Sequence, residues 1–508
     1  MAFVYTNSIL KAGGYKDVNC KAEKLLKKSI NNSLWEESGM GTEKIDFEKK
    51  LSKPIAETYA EFFAGVKFED FSDEVIRMTK IYMIDMFGCA VRSKEEHQVK
   101  AVIEVMKAQG GNPDCSVIAG GFKTSAMHAA FINGTKGHIY DYDDDHREGT
   151  MHPSVAVMPA VFALGEKYKI DGKSYIRALV CGLEVMIRAG EAFLGKSYYQ
   201  GFHPTGTCGV FGAAMGSSLI LNLTPQQISW ALGLGGSFAS GTLEWGTEGS
   251  MQKPLQAGQP AMSGIICAEL AQQNFTGART IFEGTMGFIR AHSFKDTYDL
   301  ARMTDNLGKK WEMKDTSIKV HACCRFNGPI ADCAVDLYRQ GVRADNVKGI
   351  VVKTCNFTVQ ALTQPHDKKY QPQTHVDAQF SLPYTTAVAI CRNKTGIDEF
   401  KKETFTDPEI LRVANLVTAE VDPEAEKVYP KYYPATMIAT LKDGRVLTSH
   451  VDYPKGDPEN PVTFDEIEVK FNQLTERYID SAKRKKFIEA VKNLDQVKDI
   501  SVIADLIR

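Results

Sequence analysis

Residues 138–154 read HIYDYDDDHREGTMHPS, and residues 155–168 run straight on as VAVMPAVFALGEKY. A polar cluster of four aspartates and three histidines thus abuts an apolar helical pattern, with His152-Pro153-Ser154 at the junction. Proline suits the first turn of a helix, where its missing N–H has no intrahelical acceptor to lose and its φ is already helical. The same junction recurs at His203-Pro204-Thr205, ahead of GTCGVFGAAMGSSLILN. Both histidines are therefore expected at or just before a helix N-terminus, where the positive end of the helix disfavours imidazolium and attracts an anionic ligand. A neutral imidazole there can act as base or electrophile; the competing reading is a capping or packing role.

Helical patterns extend on both sides. In DEVIRMTKIYMIDMFGCAV, the residues Val75, Met78, Tyr82 and Met86 share one face behind a candidate N-cap at Ser72. HQVKAVIEVMKAQG, SAMHAAFINGTKGHIYDY, KSYIRALVCGLEVMIRAGEAFLG and PQQISWALGLGGSFAS continue the pattern, each punctuated by Gly, Pro or Asn. Small residues crowd between Gly206 and Gly241, which permits close helix–helix or helix–ligand approach. GLGGSF at 233–238 lacks the third glycine of a dinucleotide fingerprint, and no strand pattern precedes it.

After Lys314 the texture turns toward strands. KGIVVKTCNF is rich in β-branched residues, and MIATLKDGRVLTSHVDY reads as two alternating runs around Lys442-Asp443-Gly444, a hairpin signal. GPIADCAVDLYRQ and FSLPYTTAVAICRN are helical. The division this predicts is an N-terminal extension at 1–50, a helical domain from 51–314 with 461–508, and a smaller α+β domain at 315–460.

Composition excludes several classes of function. The 61 Lys and Arg nearly balance 63 Asp and Glu, so no overall basic field draws nucleic acid or anionic lipid. No apolar run approaches a membrane span, and the first residues lack a signal-peptide pattern, which predicts a cytoplasmic protein. The eleven cysteines form no CxxC pair and are expected as reduced thiols, the adjacent Cys323 and Cys324 included.

The aspartate-histidine cluster admits a metal reading, since carboxylates and imidazoles ligate Zn, Mn or Fe. The spacing argues against it: there is no HExxH, and the residues do not converge along one helix. Two cationic segments point instead to a carboxylate ligand. Lys253 lies among small residues in MQKPLQAG, and Lys319, His321, Cys324 and Arg325 crowd ahead of a helix in KVHACCRFNGPI.

Taken together, HIYDYDDDH with MHPS, GFHPTGTCGVFGAA, MQKPLQAG, KVHACCRFNGPI, DAQFSLPY, and KDGR with YPKGDPENP resemble the MmgE/PrpD family from about Pro54 to the C-terminus. That family includes 2-methylcitrate dehydratases, cis-aconitate decarboxylases and an iminodisuccinate epimerase. The resemblance implies a mainly α fold with a large all-helical domain and a smaller α+β lid, a homodimer, and chemistry on small polycarboxylates without metal or other cofactor. Its active-site pattern falls on Asp141, His152, His203, Lys253 and Lys319, and a family tyrosine of the lid has its counterpart in Tyr370. Asp145 stands where the decarboxylase has a threonine, and Cys324 where it has a histidine. Those two departures argue against cis-aconitate as substrate, because a carboxylate repels an anion and a thiol does not replace imidazole as proton donor unless its pKa is perturbed.

The function expected is dehydration of a di- or tricarboxylate by proton abstraction next to a carboxylate. Asp141, His152 and His203 would share acid and base roles, while Lys253, Lys319, Arg325, Asp145, Cys324 and Tyr370 would contact substrate. Epimerisation or decarboxylation on the same site is the alternative, a metal-dependent hydrolase the distant third, and a non-catalytic binding protein on the same scaffold the reading from another class. Asp143, Asp144 and His146 are expected to hold the loop.

Overall fold

The computed structural model describes residues 53–294, 297–429 and 431–508; the N-terminal extension expected at 1–50 lies outside these. Helices of eleven residues or more are numbered α1–α13: α1 Ile55–Gly65, α2 Asp73–Arg92, α3 His97–Ala108, α4 Ala126–Gly137, α5 Pro153–Tyr168, α6 Gly172–Glu191, α7 Pro204–Ile220, α8 Pro225–Gly235, α9 Leu255–Gln272, α10 Gly328–Arg339, α11 Leu382–Arg392, α12 Phe464–Thr475 and α13 Ser481–Lys492. The strands are β1 Cys115–Ser116, β2 Lys123–Thr124, β3 Asp145–His146, β4 Thr316–Ser317, β5 Val347–Thr354, β6 Val417–Val421, β7 Ala435–Leu441 and β8 Val446–Val451. The described residues are mainly helical with one four-stranded sheet and two two-stranded pairs, and among them no helix is long and apolar enough to cross a membrane.

The start of α2 follows its local signals: the Ser72 side chain accepts from the Val75 N–H, and Val75, Met78, Tyr82 and Met86 are all buried. At the centre lies α7, every residue of which is buried, packed by α5, α6 and α9. Its small residues decide how close those neighbours come. A Cβ on Gly212 would lie 2.6 Å from the Gly182 carbonyl oxygen of α6, so α6 and α7 touch backbone to backbone only because both positions are glycine. The same holds where α4 meets α9, with Gly134 against the Gly258 Cα at 2.9 Å.

Apolar residues form two main clusters. The first draws on 55–318 and 462–507, and the second chiefly on 322–451. The second is built on a four-stranded sheet of order β6-β5-β7-β8, in which β5–β6 is parallel and the other pairs are antiparallel. Alternation places Ala435, Met437, Ala439 and Leu441 of β7 inward against α10. The hairpin β7–β8 closes with Gly444 at φ 89°, a conformation that glycine adopts without strain. All cysteines among the described residues are unpaired.

The stretch 138–154 bridges the two clusters. Ile139, Tyr140 and Tyr142 belong to the second, whereas Met151 belongs to the first. Within the stretch β3 pairs with β4, Asp145 opposite Ser317, which brings it alongside the segment that carries Lys319. The buried Lys470 of α12 ties these parts together. Its Nζ donates to the carbonyls of Tyr142 and Lys319, each at 2.7 Å, lies 3.8 Å over the Tyr142 ring, and pairs with Asp85 of α2 at 2.5 Å.

Lys470→Met should cost about 3–5 kcal/mol, because it strands a buried carboxylate and frees two carbonyls. The check is the denaturant midpoint. The double variant Asp85→Leu/Lys470→Met should recover most of that loss.

Candidate active site

Two helix N-termini aim imidazoles at one point. His152 is the N-cap of α5 and His203 the N-cap of α7, each with proline directly after it and without a side-chain cap bond of its own. The α5 terminus is capped from a distance: Asp144 Oδ1 accepts from the Ser154 N–H at 3.2 Å, and Asp144 Oδ2 accepts from the Ser154 hydroxyl. His146 holds the loop by accepting the Gly149 N–H at 3.0 Å.

Asp141 is the hub. Its Oδ1 lies 2.6 Å from Lys253 Nζ, 2.7 Å from Lys319 Nζ and 3.4 Å from His152 Nε2, and Lys319 also donates to the Asp141 carbonyl at 2.9 Å. The Asp141 backbone sits at φ 52°, left-handed, which aspartate tolerates better than most residues and which costs about 1–2 kcal/mol. Burial alone would raise its pKa, but Lys253 and then Lys319 outweigh it, so the carboxyl stays ionised far below the usual range. For Lys319, burial is outweighed by Asp141 and then Asp145, and the ammonium is held protonated.

The histidines are oriented by buried partners. His152 Nδ1 lies 3.0 Å from the Asp144 carbonyl and 3.2 Å from Asp143 Oδ2; both are acceptors, so Nδ1 carries the hydrogen and Nε2 presents a lone pair toward Asp141. A relay fixes His203. Gln256 Nε2 donates to the Thr242 carbonyl and Gln256 Oε1 accepts from Trp245 Nε1 at 3.2 Å, so His203 Nδ1, 2.8 Å from the same oxygen, is a donor. His203 Nε2 then accepts from the Thr205 hydroxyl at 3.0 Å, and that oxygen accepts the His152 backbone N–H. Burial, reinforced by neighbouring cations, pushes His152 down to about 3 and His203 well below its ordinary value. Both imidazoles are therefore neutral near pH 7 and able to accept a proton.

A third imidazole was not singled out in the sequence. His138 Nδ1 lies 2.9 Å from both oxygens of Asp143, and its buried Nε2 has no hydrogen-bond partner. Its ring is 4.4 Å from that of His152 and 6.0 Å from that of His203. Asp143 therefore does more than hold the loop: it accepts from two imidazoles, which keep it ionised against burial. The available signal was position, since His138 opens the same stretch; Gln256 likewise lies three residues after Lys253.

Two small cavities flank the Asp141 hub. One is lined in part by His138, Asp141, Trp245, Lys253, Gln379 and Phe380; the other by Asp145, Lys319, Cys324, Arg325 and Asp457. The Cys324 thiol is pushed up to about 11 by burial and then by Asp141, so it is protonated at neutral pH. Arg325 donates from Nε to the Tyr433 hydroxyl, from Nη1 to Asp145 and from Nη2 to Asp457 at 2.8 Å. Tyr370 is placed against the sheet, its hydroxyl donating to the Val417 carbonyl at 3.0 Å and its ring stacked 4.1 Å from His366. Asp141, His152, His203, Lys253 and Lys319 thus converge, Asp145, Cys324 and Arg325 adjoin them, and Tyr370 is turned to β6.

Donor atoms of His138, His152 and His203 lie within 4.8 Å of one another, as do those of His138, Asp141, Asp143 and His152, so either set could face a metal ion. The two ammonium groups on Asp141 oppose a divalent cation at the second set.

Comparison with known proteins gives the class. The chain is 25% identical over 466 residues to the cis-aconitate decarboxylase-like protein oryM of Aspergillus oryzae, covering 87% of this chain and 95% of that one. It is 24% identical to cis-aconitate decarboxylase of Mus musculus and 25% identical to that of Homo sapiens, covering 90% of this chain and 94% and 95% of theirs. Together with the site, these relatives identify an enzyme of the lyase class. Residues 57–301 match the MmgE/PrpD N-terminal domain and residues 321–496 the MmgE/PrpD C-terminal domain, and the chain belongs to that family.

Two measurements test the electrostatics. His152 has a folded pKa below its unfolded one, so between about pH 3 and 6.5 the unfolded chain binds more protons and stability rises with pH. His146, pushed by burial to about 4, acts in the same direction. Stability should be fully present above about pH 6.5 and fall by up to about 1.4 kcal/mol per pH unit per histidine on acidification toward pH 4, read from denaturant midpoints. Separately, nitrogen NMR should show His203 with Nδ1–H and an unprotonated Nε2, and Gln256→Leu should mix the two tautomers.

Proposed function

We propose that the protein is a cofactor-independent lyase that removes water from a small hydroxy-polycarboxylate by taking a proton from the carbon next to a carboxylate. The observation that carries this reading is Asp141 clamped between Lys253 and Lys319 beside imidazoles kept neutral by burial. A substrate carboxylate would compete with Asp141 for the two ammonium groups, which would then stabilise the charge that builds on that carboxylate as the C–H bond breaks. His152 Nε2 takes the proton, the electron pair forms the new C=C bond, and the C–O bond breaks. The imidazolium so formed on His152, a strong acid because its pKa is depressed, gives its proton to the departing hydroxyl, which leaves as water.

The second reading is decarboxylation, and it rests on the names of the relatives. There the electron pair of the departing carboxylate passes to carbon, which must then receive a proton. The first reading needs an unprotonated base beside the C–H bond, which neutral His152 and His203 provide near pH 7, whereas the second needs none.

On the true substrate, dehydration yields an unsaturated acid with no carbon dioxide, whereas decarboxylation releases one carbon dioxide per turnover. Isotopic carbon dioxide measurement with product analysis decides between them. Exchange of a carbon-bound proton with solvent, with neither water nor carbon dioxide lost, would instead indicate an epimerase. In any of the three, His152→Gln should lower kcat by about 10²-fold or more, and Lys319→Met should both raise KM and lower kcat.

A further inference from the structure

We propose that Asp145 sets substrate choice by standing in for a substrate carboxylate, so that the site takes a dicarboxylate bearing a hydroxyl or ammonium group in preference to a tricarboxylate. This rests on the reading of the site as one for small polycarboxylates.

The charge arrangement beside Lys319 motivates it. Arg325 is the guanidinium placed to receive a further carboxylate, yet each of its nitrogens already donates within the chain, to Tyr433, Asp145 and Asp457. Asp457 is brought there by the turn before it. Gly456, at φ 97°, accepts the Ile318 N–H at its carbonyl, and a Cβ there would fall on the Ile318 carbonyl oxygen. Arg147 completes the group through Asp457 at 3.2 Å and Glu459 at 2.8 Å. Three carboxylates thus face two guanidinium groups, so neither guanidinium is free for a further carboxylate. A third substrate carboxylate would have to displace a buried ion pair. Lys455, which lines the same cavity, is tied to Glu466 at 3.0 Å and to the Pro461 carbonyl. Lys253 and Lys319 remain to hold carboxylates.

The second observation concerns the other oxygen of Asp145. Oδ1 meets Arg325, whereas Oδ2 is buried without a hydrogen-bond partner, and the residue lines the cavity shared with Lys319 and Cys324. A buried carboxylate oxygen with open lone pairs is satisfied by a donor, and a ligand hydroxyl or ammonium group would supply one. A substrate lacking that donor would leave the oxygen unpaired and bind more weakly.

The test is thermal stabilisation of the full chain by four probes, followed by titration: malate and aspartate, which carry the donor; succinate, which lacks it; and tricarballylate, which has three carboxylates. The wild type should bind malate or aspartate at least about tenfold more tightly than succinate or tricarballylate. Asp145→Asn, which keeps the shape, and Asp145→Thr should erase the advantage over succinate and tighten tricarballylate about tenfold as Arg325 is released. Tricarballylate binding to the wild type as tightly as malate, or an unchanged ranking in a folded Asp145→Asn protein, would overturn the inference and leave the lyase reading standing. If no probe binds the wild type, both fall. The wild-type ranking alone decides the matter should both variants fail to fold.

Discussion

A single buried ammonium group, that of Lys470, holds the site in register. It comes from α12, near the end of the chain, and reaches a point where α2, the 138–154 stretch and the segment carrying Lys319 meet. Neither carbonyl that it binds has a strand or helix of its own to satisfy it, so the ammonium does what a ladder partner would do elsewhere. Asp85 keeps the charge neutralised, and burial makes the attraction strong. Through Tyr142 it sets the residue after Asp141, and through Lys319 it sets one of the two cations on Asp141.

Around that anchor the site uses three devices to keep imidazoles neutral and oriented. Helix N-termini put positive potential behind His152 and His203, burial removes the water that would stabilise imidazolium, and Lys253 and Lys319 add like charge. Orientation comes from acceptors: Asp143 and the Asp144 carbonyl for His152, Gln256 for His203, and Asp143 again for His138. Asp141 balances the excess positive charge of Lys253 and Lys319.

Much of this was legible in the sequence where the signal is local. The proline after each histidine fixed two helix starts, the apolar face of α2 and its Ser72 cap followed from spacing, and the Lys442-Asp443-Gly444 turn marked the β7–β8 hairpin. Arg325 and Tyr370 show where such reading stops. Both are residues of a type that binds carboxylates, but the first is engaged by Asp145, Asp457 and Tyr433 and the second by the Val417 carbonyl. Their partners lie 47 or more positions away, beyond any window of periodicity. His138 was hidden for the opposite reason: it sits at a helix end in plain view, and only the nearness of His152 and His203 sets it apart from an ordinary core histidine.

The sequence by itself determined the family, the helical character, several of the sites where helices begin, and most of the charged residues that the fold gathers around Asp141. Those features depend on neighbours three or four residues apart, or on motifs that need no geometry to recognise. Only the tertiary structure decided which charges face which. Whether a lysine meets Asp141 or a glutamate, and whether an arginine is open or spent, depend on contacts between segments more than a hundred residues apart, as Asp141–Lys319 and Asp145–Arg325 show. Long-range pairing of buried charge is set by packing, and packing is what the linear order of residues leaves implicit.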